Sequence, residues 1–175
     1  MVQADKPLVT LTGISGYLGS QTCLEFLKDG GFRVRGTVRD KTNEAKIAPI
    51  REAFGEFFDQ VELVEADMEN EESIMNAVAG STYVIHMASP YTFSGPAESI
   101  IGPAVNGTNS AMKACKAAGV RRVVITSSVA AIFAQVTPPA DLTYDESIWN
   151  DLEAGAMRNS YVRSKYEAEK AAWNF

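Results

Sequence analysis

The apolar run Leu8-Val9-Thr10-Leu11 delivers the chain into Thr12-Gly13-Ile14-Ser15-Gly16-Tyr17-Leu18-Gly19, which opens a helical pattern. A strand, a glycine turn and a helix in that order point to an α/β layered fold. Gly13 falls where the turn needs freedom in φ and a close approach to another group. Gly16 leaves a gap beside the helix N-terminus, where backbone N–H groups and the helix dipole favour an anion. Gly19 lets the helix pack against the sheet. The spacing is Gly-x-x-Gly-x-x-Gly, not Gly-x-Gly-x-x-Gly, and no Gly-Lys-Ser/Thr follows, which rules out a nucleoside-triphosphate loop. Ser15 is no hydrolase nucleophile either. It lacks the flanking glycine spacing, and the single histidine, His86, sits at the end of a later strand.

Beyond this turn, short β-branched runs alternate with longer amphipathic ones, as βαβ units require. The pattern predicts strands at about 8–12, 32–39, 61–66, 82–88 and 122–127, and helices at about 17–29, 43–54, 71–79, 97–118 and 160–174. Val123-Val124-Ile125-Thr126 and Tyr83-Val84-Ile85 are apolar on successive residues, the mark of strands covered on both faces. In the fourth helix Ile100, Ile101, Ala104, Val105, Thr108, Met112 and Cys115 form one buried stripe. Asn70 before Glu71 and Glu72 reads as a cap with acids at the positive helix end, and Gly30-Gly31 and Gly119 as helix stops. Right-handed crossovers then favour a doubly wound parallel sheet of order 3-2-1-4-5, with a cleft at the carboxyl ends of strands 1 and 4. Only 134–159, with Thr137-Pro138-Pro139 and Asp145-Glu146, breaks the rhythm and reads as a long loop over the strand ends.

At 175 residues, with no repeat or dividing linker, the chain reads as one domain over 1–175. Its formal charge of −6 gives no reason to expect nucleic acid or an anionic membrane as a partner. No segment has the apolar length to span a bilayer. The N-terminal stretch Met1-Val2-Gln3-Ala4-Asp5-Lys6-Pro7 is short and polar, so a cytoplasmic location is the default expectation. Cys23 and Cys115 fall in separate helices and read as buried thiols, not a disulfide. With one histidine and no paired cysteines, a metal site built by the protein is not expected.

A strand–turn–helix of this kind in such a sheet is suited to a dinucleotide, and the end of the second strand selects which one. A ribose diol is gripped there by a carboxylate, whereas a 2′-phosphate needs cations. Thr37-Val38-Arg39 ends the strand, with Lys41 and Lys46 nearby, and a guanidinium can bond phosphate through two donors while stacking on adenine. NADP (as NADPH) is favoured, and Asp40 leaves NAD open, because a small shift of register puts it on the diol. Asp67, followed by Met68, either accepts from the adenine amino group or serves as a turn residue before the next helix. In His86-Met87-Ala88-Ser89-Pro90, small residues let a cofactor lie against the backbone, and His86 reads as a packed histidine rather than a catalyst.

Tyr161 and Lys165 are four apart and project from one helical face. A free tyrosine, with a pKa near ~10, relays protons poorly at neutral pH. A neighbouring ammonium favours phenolate and brings the group toward useful acid/base behaviour. Lys165 can also bond the nicotinamide ribose. Ser128, at the carboxyl end of the fifth strand, would hold a substrate oxygen where the tyrosine proton is delivered.

With these residues in view, the chain resembles an extended short-chain dehydrogenase/reductase of the NAD-dependent epimerase/dehydratase superfamily. The resemblance is strongest to the dihydroflavonol reductase and cinnamoyl-CoA reductase branch. It rests on Thr37-Val38-Arg39-Asp40, Val84-Ile85-His86-Met87-Ala88-Ser89-Pro90, Asn106-Gly107-Thr108, Arg121-Arg122-Val123-Val124-Ile125-Thr126-Ser127-Ser128 and Asp145-Glu146-Ser147-Ile148-Trp149. It implies a Rossmann domain, NADPH, and a Ser-Tyr-Lys triad falling on Ser128, Tyr161 and Lys165. The implied dinucleotide contacts are Gly13, Gly16, Tyr17, Leu18, Gly19, Arg39, Lys46, Asp67, Met68, Met87, Ala88 and Ser89, together with Tyr161 and Lys165. Phe133 stands where flavonoid reductases tend to carry a substrate-binding amide, which favours a smaller aldehyde or ketone. Family members also continue far beyond the Tyr-Lys helix, so the expectation is an N-terminal portion lacking the last strands and the substrate lobe. Strand 5 would then be an edge, to be covered by further polypeptide or by a partner, another copy of the chain included.

The leading expectation is an NADPH-dependent carbonyl reductase acting on a small molecule. A nucleotide-sugar epimerase or dehydratase uses the same triad, and Arg39 argues mildly against it. The rival from another class is a non-catalytic dinucleotide-binding subunit of a larger assembly; retention of all three catalytic residue types argues against that.

Overall fold

In the computed structural model, which describes residues 6–90 and 96–175, the first apolar run forms β1 (Leu8–Thr12), with every residue buried. Residues 1–5 of the polar N-terminal stretch lie outside the described set. Four more strands follow: β2 (Arg33–Val38), β3 (Val61–Glu65), β4 (Tyr83–His86) and β5 (Arg122–Ile125). All pair in parallel, in the order β3-β2-β1-β4-β5, with Val9 opposite Val34 and Thr10 opposite Val84. The helices are α1 (Tyr17–Asp29), α2 (Glu44–Phe54), α3 (Glu71–Val78), α4 (Glu98–Ala117) and α5 (Ser160–Trp173). The alternating sequence pattern thus folds as a Rossmann-type sheet with flanking helices.

The chain folds as two compact units, Met1–Ala88 with Ser110–Thr126, and Ser89–Asn109 with Ser127–Phe175. The first holds the sheet and two apolar clusters. One gathers Val9, Leu11, Ile14, Cys23, Leu27, Val34 and Phe54; the other gathers Ile74, Ala77, Val78, Val84, Ala114 and Cys115. Two clusters are what a sheet covered on both faces produces. The cysteines are free and buried, and burial pushes the Cys23 thiol up to about 12 and that of Cys115 to about 11. Asn70 caps α3 by accepting from the Ser73 amide, and Gly30 ends α1 in the left-handed conformation.

β5 departs from its sequence pattern. Its apolar run suggests two covered faces, yet Val124 is 48% exposed and β5 lies at the edge of the sheet. Apolar runs report β-branched propensity as well as burial, and the two separate at an edge.

The second unit is built around α5. The segment 134–159 is the long loop expected, holding no strand or α-helix, and it also helps to make a small core. Ala134, Ala154, Met157 and Val162 pack together with Tyr166, and a 3-10 helix forms at Gly155–Arg158. Trp149 meets the Tyr166 ring edge-on at 5.9 Å, and Lys170 Nζ lies 4.0 Å from the Trp149 centroid. These contacts fasten the segment to α5. Among the described residues no helix is long and apolar enough to cross a membrane.

Candidate active site

In the first unit, the residues following β1 form the glycine turn that the sequence singles out. Gly13 has φ +73, and a Cβ there would meet Ala88 Cα at 3.1 Å, so the turn approaches the Ala88 backbone closely. Thr37 pins the turn twice: its Oγ1 accepts from the Gly13 amide at 3.0 Å, and its carbonyl accepts from the Ile14 amide at 3.1 Å. The Ile14 side chain is fully buried over Gly36, where a Cβ would stand 2.4 Å from Ile14 Cδ1. Thr12 Oγ1 accepts from the amides of Met87 and Ala88 and pairs with His86 Nδ1, each at 3.0 Å. His86 is therefore a packed histidine, as its sequence context suggests.

The three glycines have different reasons to be glycine. A Cβ on Gly19 would lie 2.2 Å from the Gly13 carbonyl oxygen and 3.0 Å from Ile14 Cα. Gly19 thus seats α1 on the turn itself, whereas its spacing suggests packing against the sheet. A Cβ on Gly16 would meet only the Gly13 oxygen, at an ordinary 3.4 Å. Nothing in the described protein requires Gly16 to lack a side chain, which is what a site for a bound group would produce.

Gly16 caps α1 without a side-chain bond, and the first turn carries no acid. Tyr17 is 97% exposed and Leu18 49%. Among the described residues, no hydrogen-bond acceptor engages the amides of Tyr17 or Leu18. An α-helix of thirteen residues therefore presents a positive end with free donors, suited to a diphosphate.

At the end of β2, Arg39, Lys41 and Lys46 are exposed, and among the described residues none of their side chains forms a salt bridge, although the Lys41 amide donates to Glu65 Oε1 at 3.0 Å. Asp40 is occupied locally: its Oδ1 accepts from the Thr42 amide at 2.7 Å and the Thr42 hydroxyl at 2.6 Å, and these bonds hold its carboxyl below the usual range. Asp67 serves as a turn residue, its Oδ1 accepting from the Glu69 amide at 3.0 Å; Met68 beside it is half-buried.

The second unit carries Ser128, Tyr161 and Lys165, the residues that the sequence singles out for acid–base work. Asn159 caps α5 by accepting from the amides of Tyr161 and Val162. One turn on, Lys165 is buried, and its Nζ lies 5.7 Å from the centre of the Tyr161 ring. The same Nζ donates to Ser89 Oγ at 3.0 Å. Burial pushes the Lys165 pKa below its ordinary value. Ser128 is extended and caps the 3-10 helix Val129–Ala131, its Oγ accepting from the Ala130 amide at 3.1 Å. With that lone pair used, the hydroxyl proton remains to be donated.

The sequence gives no pointer to Asn150, which is buried. Its Nδ2 donates to the Ala130 carbonyl at 2.7 Å, its amide to the Ala131 carbonyl, and its Oδ1 accepts from the Ala134 amide. The only signal was a polar residue in a loop, which carries no weight until the partners are known. Nor does the strand-end position of Thr37 reveal that it holds the glycine turn.

A family model described as the 3-beta hydroxysteroid dehydrogenase/isomerase family matches residues 10–174. The chain belongs to that family. Dihydroflavonol 4-reductase of Hordeum vulgare is 37% identical over 185 residues, covering 99% of this chain and 50% of its own. Tetraketide alpha-pyrone reductase 1 of Arabidopsis thaliana is 38% identical, covering 97% and 53%. Among solved structures, yeast methylglyoxal/isovaleraldehyde reductase complexed with NADPH superposes with a TM-score of 0.79 at 30% identity, over 96% of this chain and 52% of that one. Vestitone reductase from alfalfa gives 0.76 at 29% identity, over 97% and 52%. The chain therefore spans about half the length of the relatives it matches. The similarity to the dihydroflavonol and cinnamoyl-CoA reductase branch runs along nearly all of this chain, with cinnamoyl-CoA reductase 1 of Arabidopsis thaliana 36% identical over 94% of this chain and 47% of its own.

Proposed function

We propose that this chain is the dinucleotide-binding and acid–base portion of an NADPH-dependent reductase that converts a small aldehyde or ketone to an alcohol. The observation that carries the reading is Lys165, a buried cation held beside the Tyr161 ring on one helical face. A buried lysine is costly to keep, and its placement next to a tyrosine is suited to acid–base chemistry. Relatives such as dihydroflavonol 4-reductase, tetraketide alpha-pyrone reductase 1 and yeast methylglyoxal/isovaleraldehyde reductase support it.

NADPH, when bound, supplies a hydride to the carbonyl carbon. The residues of this chain do the rest. Gly16 and the amides of Tyr17 and Leu18 receive the diphosphate at the α1 N-terminus. Arg39 and Lys46 neutralise the 2′-phosphate, while one oxygen of Asp40 is already engaged by Thr42. Asp67, Met68, Met87, Ala88 and Ser89 line the remaining length of the cofactor.

Ser128 donates its free proton to the carbonyl oxygen and polarises it. Tyr161 then gives its phenolic proton to that oxygen, leaving phenolate. The Lys165 charge stabilises the phenolate and lowers the cost of the transfer; its ammonium also bonds the nicotinamide ribose. The exposed Phe133 brings no hydrogen-bonding group to the substrate, which fits a small carbonyl compound better than a polyhydroxylated flavonoid.

The test is to follow NADPH oxidation by the purified protein over a panel of small aldehydes and ketones, with NADH as control. Aldehyde-dependent oxidation that favours NADPH supports the reading. Tight NADPH binding without turnover on any member would instead identify a non-catalytic dinucleotide-binding subunit.

A further inference from the structure

Tyr161, Lys165, Glu169 and Trp173 recur every four residues along one face of α5. Two of them have roles in the proposed chemistry; Glu169 has none. Its carboxylate is nonetheless engaged at both oxygens. Oε2 accepts from the Ser127 hydroxyl, and Oε1 accepts from Trp173 Nε1 at 3.3 Å. Ser127 is the residue immediately before Ser128.

On the downstream side, Asn150 holds the Ala130 and Ala131 carbonyls. The backbone that carries Ser128 is therefore tied on both sides, by a carboxylate on α5 before it and by a buried amide after it. The first tie is a direct side-chain hydrogen bond to the helix that carries Tyr161 and Lys165, whereas the segment of Asn150 reaches that helix through the Trp149 and Tyr166 rings.

We infer that Glu169 is a positioning residue that sets the distance between the Ser128 hydroxyl and the Tyr161 phenol by holding Ser127 to α5. This rests on the assignment of Ser128 and Tyr161 to carbonyl reduction. A hydroxyl donor works only if it reaches the same oxygen that the phenol protonates, and small misplacements of such groups carry large rate penalties. A carboxylate is suited to the task, since a hydrogen bond from a hydroxyl to a charged acceptor is shorter and stronger than a neutral one. Residues 127 and 169 are 42 apart in sequence, so the bond is a tertiary tie.

The experiment compares Glu169→Ala, Glu169→Gln, Ser127→Ala and the double variant Ser127→Ala/Glu169→Ala. NADPH-dependent reduction of a small aldehyde is measured, together with hydrogen exchange at the Ala130 and Ala131 amides. Those two amides bond to Ser128 and report its local order. Glu169→Ala and Ser127→Ala should each lower kcat by roughly tenfold to a hundredfold and speed exchange at both amides. The KM for NADPH should stay where it was. Glu169→Gln, which keeps an acceptor oxygen, should recover most of the rate, and the double variant should be no worse than either single one.

Wild-type kcat in Glu169→Ala, or additive losses in the double variant, would overturn the inference. A wild-type protein that turns over no aldehyde would defeat the reductase reading. Exchange at Ala130 and Ala131 then decides the tie by itself: unchanged protection in both Glu169→Ala and Ser127→Ala removes it.

Discussion

Lys165 Nζ donates to Ser89 Oγ across 3.0 Å, joining two residues 76 apart in sequence and fixing a buried cation one helical turn from Tyr161. That fixed charge has a measurable consequence for stability. Burial holds the Lys165 pKa below the ordinary 10.5. In the unfolded chain the same lysine keeps its proton up to the ordinary value. Between the two values the unfolded state binds more protons, so stability rises with pH across that window. Below the folded-state pKa, the cost of the buried charge is present in full.

Lys165→Met keeps the length and volume of the side chain and removes the charge. Urea midpoints compared at neutral pH and just below pH 10.5 should show the wild type gaining on the variant as pH rises. Parallel pH dependence in the two proteins would mean that Lys165 titrates normally.

Gly16 and Gly19 should separate binding from folding. Gly19→Ala forces a Cβ to within 2.2 Å of the Gly13 carbonyl oxygen, a backbone atom that cannot swing aside. Such overpacking costs about 1–3 kcal/mol or more, visible as a lowered Tm. Gly16, at φ −87, accepts alanine without strain, so the same substitution there should leave Tm nearly unchanged. NADPH binding should nevertheless weaken. Equal Tm losses in the two variants would contradict this division.

Arg39→Asp should weaken NADPH far more than NADH, since it replaces a cation suited to the 2′-phosphate with a carboxylate suited to a diol. Titration of both coenzymes against both proteins decides the matter. A wild-type preference for NADH would remove Arg39 and Lys46 from the selection of the cofactor.

Tyr161→Phe keeps the ring and removes the proton donor. The expected loss in kcat is about 10²-fold to 10⁴-fold, the scale of general acid catalysis, with NADPH affinity close to wild type. Full turnover in that variant would take Tyr161 out of the mechanism.

The order of elements, the parallel sheet and even the span of α1 were legible in the sequence, because each rests on local signals. Alternation of β-branched and amphipathic runs needs only neighbours in the chain, and so do an asparagine cap and a glycine stop. Tyr161 and Lys165 sharing a face follows from helical period alone. What surrounds them does not. That Thr37 pins the Gly13 turn and that Gly36 clears space for Ile14 depend on which strand lies beside which. The bond of Thr42 to Asp40 Oδ1 is likewise one that the residue types alone do not specify. The ties of Asn150 to Ala130, Ser89 to Lys165 and Ser127 to Glu169 join residues 20, 76 and 42 apart. No period or motif encodes such pairs, because a hydrogen bond between distant side chains exists only after the backbone has brought them together. The sequence determined which residue types stand ready for chemistry; tertiary packing decided which of them are held still and by what.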